Sequence, residues 1–184
     1  MNFAKHWELK GKHAFLSASQ YHWLNYDEDK LITVYKNNQA KELGTRLHDF
    51  ACNAIELGVL LDDNGSTVST YVNDAISYDL KPEQILYYSK NCFGTADAIN
   101  FYNGTLRIHD LKTGKTPASF MQLEIYAALF CLEYDVNPIE INTVLRIYQN
   151  NEILESEPEP DQIIYIMEKI ITFDRIIDSL RMDG

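Results

Sequence analysis

Only three cysteines, Cys52, Cys92 and Cys131, occur in the 184 residues, an odd count without CxxC or Cys/His spacing. That excludes a disulfide framework and a cysteine-held zinc site, and it leaves buried thiols in a reducing compartment as the expectation. Long hydrophobic runs are missing too. No stretch approaches the roughly 20 apolar residues that cross a bilayer, and no basic, apolar leader opens the chain. A soluble, unexported, cytoplasmic protein with no membrane partner is expected. No Gly-rich phosphate loop or Walker A pattern is present, so the chain carries no nucleotide-driven motor of its own. Positive charge is scarce: 16 Lys and Arg face 27 Asp and Glu, for a net charge of -11. Such a balance argues against a general nucleic-acid coat and leaves room only for a local basic groove.

What is there suffices for a real core. A hydrophobic content of 46% in 184 residues fits one globular domain spanning residues 1–184. Residues 15–26, opening with Ser17 or Ser19 as an N-cap, read as a short packing helix. Leu43, Leu47, Ala51 and Ala54 recur at helical spacing and predict an amphipathic helix over residues 37–57, closed by Gly58. Residues 61–70 read as a loop and 71–78 as a weak helix. Three short runs rich in β-branched and aromatic residues, 84–90, 93–102 and 105–112, predict an antiparallel meander. A helix over 119–134, a strand over 142–148, a short return strand near Ile153 and a helix over 162–180 complete the order. The sequons at Asn64 and Asn103 read as turns, Asn103-Gly104 as a tight hairpin. The expected class is α/β: a mixed sheet flanked by helices.

The chemistry concentrates in "LRIHDLKTGK", residues 106–115. Side chains alternate along a strand, so Asp110 and Lys112 share a face. An antiparallel pairing through Asn103-Gly104 brings Asp97, in "GTADAI", close to Asp110. Two carboxylates at such range are costly unless a cation lies between them or one is protonated. Mg²⁺ or Mn²⁺ fits, with the Leu111 carbonyl as a further oxygen donor. Lys112 would then hold the attacking water and offset charge gathering on a phosphate. Thr113 and Lys115, in "KTGK", supply a polar, basic edge where a phosphate could arrive. The same residues also fit a surface ion pair followed by a polar turn.

"LGTRLHDFA" (residues 43–51), "GTADAI" (94–99), "DLKTGK" (110–115) and "QLEIYA" (122–127) follow one another on a helix, two strands and a helix. In that order they resemble the RecB-like branch of the PD-(D/E)XK nuclease superfamily, of the kind found in phage and mobile-element exonucleases. The resemblance spans about residues 16–148. It implies a restriction-endonuclease-like fold and metal-dependent cleavage of DNA phosphodiesters, with an exonuclease as the expected type. It makes His48, Asp97 and Asp110 metal ligands and Lys112 the catalytic lysine. Gln122 and Tyr126 match its Q-x-x-x-Y helix signature and are expected to contact DNA; their spacing puts both on one helix face. Implied partners are DNA and a separate helicase or recombinase, and a homo-oligomer is compatible. The four-cysteine iron–sulfur cluster of some members has no counterpart here.

Two other readings compete. The acidic balance favours a nuclease-fold binding or assembly module that engages a nucleoprotein complex without cutting DNA. The ligand set alone also fits hydrolysis of another phosphate ester, although no Gly-rich loop is present to build a small-molecule pocket.

Overall fold

The computed structural model describes residues 4–182. They form two compact units that divide between Leu43 and Gly44.

In the first unit, short 3-10 turns at Trp7–Leu9 and Ala18–Asn25 precede the opening of helix α1, Glu28–Glu56. The helix expected over residues 15–26 is therefore a 3-10 segment, kinked at Gln20, and Ser17 makes no side-chain cap. Instead the Trp23 indole N–H donates to the Ser17 carbonyl at 2.9 Å, tying the turn to its own start. Phe15 packs edge-on against Tyr35 at 5.1 Å, but Tyr21 and Leu24 stay exposed. Helix α1 begins nine residues before the expected Asn37, because Asp27 accepts the Lys30 N–H at 2.8 Å. Glu28 and Asp29 add favourable charge in its first turn.

The second unit holds the rest of α1, helix α2 (Thr67–Ser77), strands β1 (Lys81–Ser89), β2 (Cys92–Tyr102) and β3 (Thr105–Leu111), helix α3 (Met121–Tyr134), strands β4 (Asn142–Gln149) and β5 (Glu152–Ser156), and helix α4 (Pro160–Met182). Helix α2 starts inside the expected loop because the Ser66 hydroxyl accepts the Ser69 N–H. The five strands lie in the order β1-β2-β3-β4-β5. All neighbours are antiparallel except β3 and β4, which are parallel and joined by α3. Crossing over is what parallel neighbours require, and α3 supplies it. This α/β arrangement, a mixed sheet flanked by helices, is consistent with a restriction-endonuclease-like fold.

Asn103 and Gly104 both take positive φ, 47° and 73°, as a tight hairpin demands. One sheet face packs Leu86, Leu106, Ile108, Leu145 and Ile147 against α3 and α4. On the other, Leu111 and Tyr148 pack with Tyr71, Val72 and Ala75 of α2 and Ala51 and Ala54 of α1. Each fully buried leucine or isoleucine contributes about 1.5–3 kcal/mol, so the sheet is fixed from both sides. Cys52, Cys92 and Cys131 are free thiols, and among the described residues no helix is long and apolar enough to cross a membrane.

Candidate metal centre

The β2–β3 ladder runs from Tyr102↔Thr105 to Ala98↔His109 and ends there, one step short of Asp97 and Asp110. Ala96 packs with Leu86 on the α3 side, yet Ala98 packs with Leu111 on the opposite side. Residues two apart on a regular strand share a face, so β2 turns over around Asp97. The opened ladder is closed by a side chain: Asp97 Oδ2 accepts the Leu111 N–H at 2.9 Å. The Lys112 N–H crosses to the Tyr148 carbonyl at 2.9 Å.

Around this split the side chains converge. His48 Nδ1, from α1, lies 3.4 Å from Asp97 Oδ2, with the His48 and Asp97 side chains 30% and 17% exposed. One candidate ligand atom each from His48, Glu83 and Asp97 lie within 4.8 Å of one another. Asp110 is 2% exposed; its Oδ1 accepts from Lys112 Nζ at 3.0 Å. Oδ2 is also near Nζ, at 2.9 Å, but receives no well-directed hydrogen bond and is an orphaned buried acceptor. Lys112 Nζ further donates to Gln122 Oε1 at 2.9 Å, and Gln122 Nε2 reaches the Tyr126 hydroxyl at 3.0 Å. Burial first, and the Asp110 charge second, push the Asp97 carboxyl up to about 6 against the opposing pull of the Leu111 N–H, His48 and Lys112.

The glycines of two motifs have a physical reason. A Cβ at residue 44 would stand 2.8 Å from Thr113 Oγ1, and one at residue 94 would stand 2.9 Å from the Tyr126 ring. Gly44 thus lets α1 approach the turn after β3 one helical turn before His48, and Gly94 clears space for the ring that supports Gln122. Thr113 accordingly lies against α1. Lys115 is exposed and no contact brings it into the cluster, although its loop is pinned by Gln149 Nε2, which donates to the Gly114 and Thr116 carbonyls at 2.6 and 2.8 Å. The described contact of Leu111 with the site is its N–H on Asp97.

Glu83 is the candidate ligand that sequence reasoning missed. The expected first strand began at Gln84; β1 in fact starts at Lys81. Pro82↔Ala98 and Gln84↔Ala96 bracket Glu83 opposite Asp97, so counting back from Asp97 through the hairpin would have found it. Its φ of 49° is in the left-handed region, rare for a residue with a Cβ. Such outliers cluster at functional sites.

The donor set fits a hard divalent cation. His48, Glu83 and Asp97 each bring one ligand atom within 4.8 Å of the others. Asp110 stands outside that trio, bound to Lys112, but one of its oxygens lacks a directed partner and its charge acts on Asp97, a repulsion that a cation would relieve. His48, Glu83, Asp97 and Asp110 are the residues that would hold it, with the Leu111 carbonyl as a candidate main-chain donor.

No family model matches the chain, and no curated protein sequence matches it. A solved structure described as the crystal structure of SSO0001 is similar at 16% identity, over 83% of this chain and 69% of that one, with a TM-score of 0.34. So distant a likeness does not bear on function.

Proposed function

We propose that the chain is a Mg²⁺- or Mn²⁺-dependent DNA nuclease of the RecB-like PD-(D/E)XK type, acting as an exonuclease inside the cell. The observation that carries this reading is the contact chain His48–Asp97–Leu111 and Asp110–Lys112–Gln122–Tyr126 around one split in the sheet. His48, Glu83, Asp97 and Asp110 would hold a divalent cation, which would supply Lewis acidity there. Lys112 Nζ, fixed between Asp110 and Gln122, orients the attacking water and offsets the negative charge that grows on the phosphate. Hydrolysis joins the water oxygen to phosphorus and breaks the bond to one ester oxygen, which leaves with a proton. Tyr126 holds Gln122, and Gln122 holds Lys112, so both act through the lysine as well as lining the DNA side. A separate helicase or recombinase is the natural companion of a nuclease without a motor.

The test is degradation of end-labelled linear and covalently closed circular DNA with Mg²⁺, Mn²⁺ or EDTA, comparing wild type with Lys112→Ala. Metal-dependent loss of linear DNA alone, absent in the variant, is the expected result. Undiminished cleavage by pure Lys112→Ala would overturn the mechanism.

The charge distribution favours one second reading. From Gly44 onward ten basic residues face twenty-two acids, which suits a nuclease-fold module that engages a protein partner. Absence of DNA binding at low salt, with and without metal, would favour that module over the nuclease.

A further inference from the structure

We propose that residues 4–26 of the first unit form a landing site for single-stranded DNA; this deepens the nuclease reading, on which its biological sense rests, by naming the strand class captured. The charge of the chain is divided unevenly. Before Gly44, six lysines face five acids, whereas the remainder carries a large acidic excess. Within residues 4–26 the imbalance is sharper: Lys5, Lys10 and Lys12 face Glu8 alone, and His6, His13 and His22 are interspersed. The three lysines are exposed. Among the described residues none of them forms an ion pair; Glu8 lies nearest His6 Nδ1, at 3.7 Å.

Aromatic rings alternate with this charge. Trp7 is 68% and Tyr21 60% exposed, which leaves two large ring faces open to a stacking partner. Lys5 Nζ stands 5.5 Å from the Trp7 ring centre, and Tyr21 lies 4.9 Å from His22, ring to ring. An open cleft of about 640 Å³ in this unit is lined by His13, Phe15, His22, Trp23, Tyr26 and Tyr35, among others, a volume within the roughly 300–1,000 Å³ of small-ligand sites. The Trp23 ring is held in place by its bond to Ser17. Exposed rings between unpaired lysines are what single strands require: bases stack on the rings and phosphates meet the cations. A duplex hides its base faces, so the rings favour unpaired strand. A purely apolar protein partner would have no use for the lysines.

The site also answers how an acidic nuclease acquires a polyanion. Both units belong to one chain, so a strand held by the first is raised in effective concentration for the second.

Both tryptophans of the chain, Trp7 and Trp23, lie in this unit, so selectively excited tryptophan fluorescence reports on it alone. The full-length protein in EDTA is titrated with a 20-nucleotide oligo(dT) and, separately, with a 20-base-pair blunt duplex, while anisotropy of the labelled DNA follows total binding. Oligo(dT) should quench the tryptophans saturably, more tightly than the duplex, with a log–log salt slope of roughly -2 for three phosphate contacts. Joint Lys5→Gln, Lys10→Gln and Lys12→Gln replacement should flatten that slope. Trp7→Leu should weaken binding roughly ten- to hundredfold, as for the loss of one stacking ring. Circular dichroism confirms that each variant is folded, and Lys112→Ala should quench like wild type while losing cleavage. Binding by anisotropy with no tryptophan change and no response to the lysine variant would overturn the proposal and leave the nuclease reading intact. Equal affinity for the blunt duplex, or equal quenching by polyglutamate, would overturn it as well. Quenching as described in a wild type that cuts no DNA would sustain the landing site and sink the nuclease.

Discussion

Replacing Asp97 with Asn should stabilise the metal-free protein at neutral pH while abolishing its response to metal. The carboxyl of Asp97 rises from 3.8 to about 6 on folding, through burial and the neighbouring Asp110 charge. A rise of about two pH units at about 1.4 kcal/mol each is about 3 kcal/mol, and residual solvent contact at 17% exposure trims this to about 2–3 kcal/mol. Between those two pKa values the native state binds more protons than the unfolded one, so stability falls as pH rises from about 4 to about 6 and stays low above. His109 acts in the opposite direction. Burial, with Arg146 and Arg107 nearby, pushes its pKa down to about 3; the unfolded ring protonates first as pH drops below about 6.5, and stability is lost there. Wild type alone therefore shows a blunted profile, but His109 is common to both proteins and cancels in their difference. Thermal unfolding in EDTA from pH 4 to 8 should find Asp97→Asn more stable by about 2–3 kcal/mol at pH 7, roughly 5–10 °C in midpoint, with the gap closing near pH 4. The Asn oxygen can still accept the Leu111 N–H, so the closure of the ladder survives. Millimolar Mn²⁺ should raise the wild-type midpoint and leave the variant nearly unmoved. A variant less stable than wild type at pH 7, or a gap that does not narrow in acid, would refute the carboxylate-pair argument.

Glu83→Ala should weaken Mn²⁺ binding about tenfold or more in calorimetric titration, since a ligand charge is removed; unchanged affinity would remove Glu83 from the site. Gly94→Ala should cost about 1–3 kcal/mol in denaturant unfolding, because its Cβ drives into the Tyr126 ring, and cleavage should fall with it. Gln122→Ala should lower kcat roughly tenfold with little change in KM if its task is to hold Lys112 for the transition state; a rise in KM alone would make it only a DNA contact.

The order of strands and helices was legible because β-branched and aromatic runs mark β1–β3, an Asn103-Gly104 hairpin fixes their register, and a long apolar run marks α3, although its buried residues are Leu123 and Ala127 to Cys131 while Met121 and Ile125 are exposed. That register was enough to set Asp97 near Asp110. Less legible was anything that depends on a cap or a bulge. The first turns of α1 present Leu31, Ile32 and Tyr35 largely to solvent, so no stripe continued Leu43 and Leu47 backward, and only the Asp27 cap marked the true start. Helix α2 was hidden by the β-branched residues Thr67, Val68, Thr70 and Val72, which lower helix propensity although Ser66 caps them. Glu83 was lost because a strand boundary was set at Gln84. In residues 15–26 helical spacing of aromatics suggested packing, but the unit is too small to cover them all, and Tyr21 and Leu24 remain outside.

The end of β3 holds Asp110 against the charge of Asp97 on β2, and consecutive residues there are each committed in a different direction. His109 is fully buried on the α2 side, its Nδ1 3.1 Å from the Tyr148 hydroxyl. That hydroxyl donates to Asp74 at 2.7 Å, so it can only accept from His109, which assigns the ring proton to Nδ1. Arg146 closes the set on Asp74 at 3.1 Å. Asp110 then faces the site, Leu111 gives its N–H to Asp97, and Lys112 gives its N–H to the Tyr148 carbonyl. Tyr148 thus grips β3 twice, through its hydroxyl at His109 and through its carbonyl at Lys112. Relief of the Asp97–Asp110 repulsion by a shift of the strand would break this buried network on the far face, at about 1–3 kcal/mol for each polar group left unpaired. On the proposed reading, the repulsion would instead be retained as affinity for a cation. That is why the raised Asp97 carboxyl and the split ladder occur together: each is a local cost that the packing behind β3 prevents from relaxing.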